Sequence, residues 1–159
     1  MRNPFRRINI LAICTGNTCR SPMVEALLRQ KLGWFGRLRY KVHSAGVEGR
    51  NGDPISENSA RALAEIGINA KRHKARKLTT SMALAADFII CLSQSHADRL
   101  DDCDITARIW VLKVRDPFHQ PLAIYCQTRD EIASKLAPLL AIIQGNESLM
   151  AEFCEGAGA

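Results

Sequence analysis

The run Cys14-Thr15-Gly16-Asn17-Thr18-Cys19-Arg20-Ser21 gathers the residue types that handle a phosphate group. A cysteine thiolate can attack phosphorus, and an arginine six positions later can fork two phosphate oxygens. The segment leads from an apolar strand into a helix. Successive backbone N–H groups and the helix N-terminus can therefore converge on one anion. Gly16 is expected to supply the unusual backbone angles of such a loop. Converging amides and a guanidinium favour a charged sulfur, so one loop offers both a nucleophile and an oxyanion clamp. The Cys-x5-Arg spacing by itself is weak, because about half a pair is expected by chance at this composition. Its setting between strand, Gly, Asn and helix separates it from an ordinary strand–helix turn with core cysteines.

Cleavage through a cysteine also needs a proton donor for the leaving group. Asp116, in Val114-Arg115-Asp116-Pro117-Phe118, is the candidate, since Pro117 stiffens the loop and biases Asp116 away from helix. Taken alone, the pair reads as an Asp-Pro turn. No metal site is expected: no Cys-x-x-Cys occurs, and His43, His73, His96 and His119 are scattered. No cofactor is expected either, because the loop supplies the electrostatics. The six cysteines are read as thiols, with Cys91 a small buried hydrophobe closing Asp87-Phe88-Ile89-Ile90-Cys91.

The elements that must hold these residues follow from periodicity. Apolar, β-branched runs predict strands over 8–13, 39–44, 87–92 and 109–112. Helical spacing predicts helices over 22–32, 56–66, 79–86, 93–100 and 130–143, the last beginning a few residues before 130. Pro22 suits the first turn of its helix and Gly33 its end, Ser56 and Ser93 can cap theirs, and Pro138 should kink or split the last. Strands separated by helices imply crossover connections and a parallel α/β sandwich, whose ligands bind beyond the strands' carboxyl ends. Cys14 follows such an end.

The 159 residues suit one domain over 1–159, with a core of about 7–144 and a frayed tail from 145. With 47% hydrophobic and 24% charged residues, the chain is not collagenous, coiled-coil or mainly disordered. No apolar run approaches the roughly 18–20 residues that span a bilayer, and the short run after the basic start does not make a leader. A cytoplasmic protein without membrane association is expected. The charge is uneven: residues 1–77 hold 16 Lys/Arg against 5 Asp/Glu, and residues 78–159 hold 6 against 11. That asymmetry suggests a polyanionic or phosphorylated partner for the first half. No nucleic-acid motif accompanies the basic residues, and none is expected to bind.

With these residues in view, the chain resembles the low-molecular-weight protein-tyrosine phosphatase family, from the first strand to about residue 143. The markers are Cys14 to Ser21 followed by Pro22, then Ser44-Ala45-Gly46, His73 and Asp116-Pro117-Phe118. The resemblance implies an α/β three-layer sandwich with a four-stranded parallel sheet flanked by helices. It implies Cys14 as nucleophile, Arg20 as phosphate clamp and Asp116 as general acid. Thr15, Gly16, Asn17, Thr18, Cys19 and Ser21 would form the phosphate-binding loop, with Ser44 and His73 as outer support. The substrate would be a phosphorylated protein, with phosphate or another oxyanion in the loop.

Two relatives of the same fold need separating. Thioredoxin-coupled arsenate reductases carry a further close cysteine pair after the third strand. Here the next cysteine after Cys91 is Cys103, twelve residues on, and Pro22 stands where such reductases tend to have Gln. The protein-arginine phosphatase branch resembles this chain in its Thr at position 18 and in Ile124-Tyr125 with Gln127 to Glu131. A hydroxyl in the pocket wall can accept a bond from a guanidinium, whereas an apolar branched residue suits a phenyl ring. With Thr18, Glu48 and Phe118 expected as pocket wall, phosphoarginine is preferred over phosphotyrosine. The expected reaction is in-line attack by Cys14, protonation of the leaving atom by Asp116, and hydrolysis of the phosphocysteine with Asp116 as base. Cys19 could form a reversible disulfide with Cys14. A non-catalytic phospho-ligand binder is the alternative of another class.

Overall fold

The computed structural model describes residues 6–145. The chain enters as β1 (Ile8–Cys14), passes through α1 (Arg20–Arg39) and returns as β2 (Tyr40–Gly46). It continues through α2 (Glu57–Ala64), α3 (Thr80–Ala85), β3 (Phe88–Cys91), α4 (Gln94–Asp98), β4 (Arg108–Val111) and α5 (Leu122–Ile143). The strands form one sheet in the order β2-β1-β3-β4, and every pair is parallel.

Alternation along the strands builds two cores. Ile10, Ala12 and Cys14 face the layer with α1, α2 and α5, against Met23, Leu27, Leu63 and Ile132. Leu11 and Ile13 face the other layer, against Ala83 of α3 and Ala97 of α4. This is the expected sandwich: a four-stranded parallel sheet between helices.

Register gathers the strands' carboxyl ends. Cys14 pairs with Gly46, Ile13 with Cys91, and Cys91 with Val111. The loops after all four strands therefore emerge along one edge. The chain leaves β1 for a neighbour on one side and later returns to pair on the other, so the cleft opens beside β1.

The local signals hold with shifts. Gly33 (φ 64°, ψ −169°) interrupts α1, as its stop signal requires, and a further helical stretch leads on to Arg39. Ser56 caps α2 by accepting from Ser59 N–H, and Thr79 caps α3 by accepting from Met82 N–H. The last helix departs most from expectation. It starts at Leu122 and runs unbroken through Pro138. Pro138 donates no bond to the Ser134 carbonyl; Ser134 is exposed, so water can take that place. Among the described residues no helix is long and apolar enough to cross a membrane. The tail expected past residue 145 lies outside the described residues.

Candidate active site

The loop from Cys14 to Arg20 is held from outside by its own carbonyls. Val47 N–H donates to Cys14 O at 3.0 Å, Glu48 N–H to Thr15 O at 2.9 Å, and Ser56 N–H to Thr18 O at 2.9 Å. His73 Nε2 donates to Asn17 O at 2.8 Å and Ser59 Oγ to Cys19 O at 3.4 Å. With the carbonyls turned outward, the amides turn inward. Among the described residues, the N–H groups of Gly16, Thr18 and Cys19 donate to no protein acceptor. Such a ring of free donors is a site for an anion.

The backbone angle that closes the loop sits at Asn17 (φ 57°), not at Gly16 as expected. A Cβ on Gly16 would meet only Thr18 Oγ1, at 3.5 Å. The glycine that sterics demand is Gly46, where a Cβ would lie 2.5 Å from Thr15 O and 2.8 Å from Asn17 N. Only a bare backbone lets the end of β2 approach the loop this closely.

Asn17 is fully buried and uses its whole amide. Its Oδ1 accepts from Arg76 N–H at 2.9 Å, which fixes the orientation of Nδ2. Nδ2 donates to Ser21 Oγ at 2.8 Å and to Ser44 Oγ at 2.9 Å. Ser44 in turn donates to the buried Glu25 carboxylate. With its lone pair taken, the Ser21 hydroxyl can donate to Cys14 Sγ at 2.9 Å, and Asn17 N–H reaches the same sulfur at 3.3 Å. Cys14 is 2% exposed and faces a pocket of about 160 Å³ lined by Thr15, Gly16, Thr18, Arg20, Asp116 and Phe118.

Arg20 lies under this pocket. Its Nη1 donates to Val114 O at 3.0 Å and its Nη2 to Asp116 Oδ2 at 2.8 Å. Its Nε is buried without a protein partner. Asp116 is half-exposed at the pocket mouth and accepts from Phe118 N–H at 3.2 Å. Arg20 and Asp116, 96 positions apart in sequence, thus meet in one ion pair.

The expected cluster is together: Cys14, Thr15, Gly16, Thr18, Cys19, Arg20, Asp116 and Phe118 share the pocket. Asn17, Ser21, Ser44 and His73 stand behind it. Glu48 lies one step out, in an adjoining groove with Thr18, Asp53, Glu57 and Phe118. Two residues of the frame were not anticipated. Glu25 joins Ser44 to Arg29 (2.7 Å) and stands 3.9 Å from His73 Nδ1. His96 accepts from Ser93 N–H at Nδ1, so its neutral ring carries hydrogen on Nε2, 3.0 Å from Thr15 Oγ1. Burial, with the Arg20 charge nearby, pulls the His96 pKa down to about 4, so the ring is neutral. Burial also lowers the pKa of His73. The signal for His96 was its place three residues after the cap Ser93, from which a side chain reaches back. Among the described residues no group of His, Cys, Asp and Glu is arranged to hold a metal ion.

The sequence matches the family model for low molecular weight phosphotyrosine protein phosphatase over residues 9–149. It is similar to a low molecular weight protein-tyrosine-phosphatase of Acinetobacter johnsonii, with 37% identity over 93 residues, 58% of this chain and 62% of that one. It is similar to a protein-arginine-phosphatase of Bacillus subtilis strain 168, with 34% identity over 143 residues, 83% of this chain and 94% of that one. The fold matches a solved arginine phosphatase from Geobacillus stearothermophilus with a TM-score of 0.76 and 29% identity, covering 88% of this chain and 95% of the other. The chain thus spans under two thirds of the tyrosine phosphatase's own length and nearly all of the arginine phosphatase's.

Proposed function

The chain belongs to the low molecular weight phosphotyrosine protein phosphatase family, and from that premise we propose that it is a cysteine-dependent protein phosphatase working through a phosphocysteine. The observation that carries the reading is the setting of Cys14 Sγ. Two donors reach it, the Ser21 hydroxyl at 2.9 Å and Asn17 N–H at 3.3 Å, above a buried arginine with an unpartnered Nε. Both donors are aimed at the sulfur that would attack phosphorus.

In this reading Cys14 attacks phosphorus in line, and the phosphoryl oxygens spread their charge over the inward amides and Arg20. The bond from phosphorus to the leaving oxygen or nitrogen breaks as the sulfur–phosphorus bond forms. Asp116 gives that leaving atom its proton. A phosphate that engages the Arg20 fork competes with Asp116 for the guanidinium, which frees the carboxyl to face the leaving group. Asp116 then takes a proton from water as water attacks the phosphocysteine. We propose the cytoplasm as its place of action, a compartment that keeps such a thiol reduced. The reductase alternative is not favoured: Cys91 is fully buried, and burial pushes its thiol up to about 12, which suits no disulfide relay.

The proposed substrate is phosphoarginine in proteins. Thr18 places a hydroxyl in the pocket wall, and Glu48, Asp53 and Glu57 line the groove that adjoins it, where a guanidinium would find counter-charge. The test is the ratio of kcat/KM for matched phosphoarginine and phosphotyrosine peptides, measured without metal and with vanadate as inhibitor. Wild type is expected to favour phosphoarginine. Thr18→Ile should move the ratio toward phosphotyrosine by roughly tenfold to a hundredfold, the worth of one hydrogen bond of about 1–3 kcal/mol. An unchanged ratio would leave Thr18 as a structural loop residue.

A further inference from the structure

Among the described residues a second concavity is larger than the pocket at Cys14. It is a groove of about 810 Å³ between α1 and the loop that precedes α3. Its rim carries Arg29, Arg37, Arg72, Lys74 and Arg76, with His73 at its floor. Arg29 is paired with Glu25. Among the described residues Arg37, Arg72, Lys74 and Arg76 make no ion pair. Glu25 is the groove's one carboxylate, and it is already occupied by Ser44 and Arg29. Here the positive charge of the first half of the chain becomes spatial: four unanswered cations face one concavity. Between them the wall is apolar, formed by Pro22, Ala26, Ile68 and Ala70.

We propose that this groove binds a polyphosphorylated organic anion of nucleotide type at a second site, separate from the phosphate loop. The charges suit several phosphate oxygens, the apolar wall suits a flat organic body, and the volume lies in the range of small-molecule sites. The groove and the Cys14 pocket share no lining residue. They are joined through their common wall: the His73 ring lines the groove and donates to Asn17 O, and Glu25 lines it and accepts from Ser44. An occupant would therefore lie against His73, which bonds Asn17 directly, and against Glu25, which reaches Asn17 through Ser44. The proposal rests on the phosphatase reading only for this effect on the loop.

The test uses the full chain with orthovanadate filling the phosphate loop and magnesium-free ATP as probe, followed by calorimetry. One ATP per chain is expected to bind with vanadate present. The double variant Arg72→Ala/Lys74→Ala, two exposed and unpaired residues, should weaken it at least tenfold. Arg61→Ala/Arg99→Ala removes the same charge elsewhere and should change it less than twofold. Tripolyphosphate, charge without the ring, should bind more weakly than ATP. In turnover of an aryl phosphate, ATP should act without competing with substrate. Loss of binding once vanadate is present, equal weakening by both double variants, or purely competitive kinetics would overturn the proposal. Turnover without ATP binding rejects the groove alone, whereas ATP binding without turnover rejects the phosphatase reading alone.

Discussion

Replacing Asn17 with Asp reverses the polarity of the loop's hydrogen bonds while keeping their geometry. The new carboxylate has the same outline, tolerates the left-handed φ of 57°, and can still accept from Arg76 N–H. It cannot donate. The hydroxyls of Ser21 and Ser44, at 2.8 and 2.9 Å, would turn toward it and leave Cys14 and Glu25. Each bond given up ends on a group that is charged or that the proposed reaction needs charged, and such bonds contribute about 1.5–3 kcal/mol. Stability should fall by about 3–6 kcal/mol with the carboxylate ionised, and by about half that if it takes up a proton and regains one donor. The Ser21 share acts on turnover, where about 1.5–3 kcal/mol is roughly a ten- to hundredfold loss in kcat. Urea unfolding followed by circular dichroism reads the first quantity, and aryl phosphate turnover reads the second. Asn17→Ala is the companion: it deletes all three amide bonds and adds about 1 kcal/mol or more of left-handed strain. If Asn17→Asp unfolds within 1 kcal/mol of wild type, on the scale of a single neutral hydrogen bond, and retains its kcat, donor direction does not organise this loop.

Cys14→Ser should abolish turnover while leaving the thermal unfolding midpoint close to wild type, since a hydroxyl is not ionised by the loop; measurable steady-state hydrolysis would remove Cys14 as nucleophile. Arg20→Lys should lose turnover nearly as fully, because a point charge cannot reproduce a planar fork that also holds Val114 O and Asp116. Asp116→Asn should slow alkyl-type leaving groups far more than nitrophenolate, and equal slowing of both would move the acid elsewhere. Stability should fall on acidification. His43 and His96, buried and neutral, have pKa values lowered to about 4 from 6.5. The unfolded chain thus takes up protons first: this stability is complete above about 6.5 and is lost as pH falls toward 4, on the order of 2 kcal/mol per histidine at pH 5. Equal midpoints at pH 7 and pH 5 would contradict that burial.

What was legible in the sequence is what is local. The loop's cysteine, its arginine and its strand–helix setting lie within eight consecutive residues, and β1 and α1 announce themselves by period and by Gly33. Asp116 could be proposed because Pro117 marks a loop, but nothing nearby shows that it meets Arg20 across 96 residues. Ser44 and His73 came from family likeness alone, for a strand-end serine and a histidine in a basic stretch carry no signal of burial. Glu25 carries no such signal either: an acid four residues before Arg29 reads as a solvated helix pair, and here it is 5% exposed. The start of α5 was missed because Leu122 to Arg129 mixes aromatic and branched residues and follows Pro121, which offers no side-chain cap. Gly16 shows the converse error. Residue type points to glycine for the strained angle, but Asn17 takes it, because its amide is anchored by Ser21, Ser44 and Arg76 and those bonds offset the cost. The loop's outward carbonyls answer donors from residues 47, 48, 56, 59 and 73. Its inward amides are therefore a property of tertiary closure, and a peptide of residues 14–21 would not hold them.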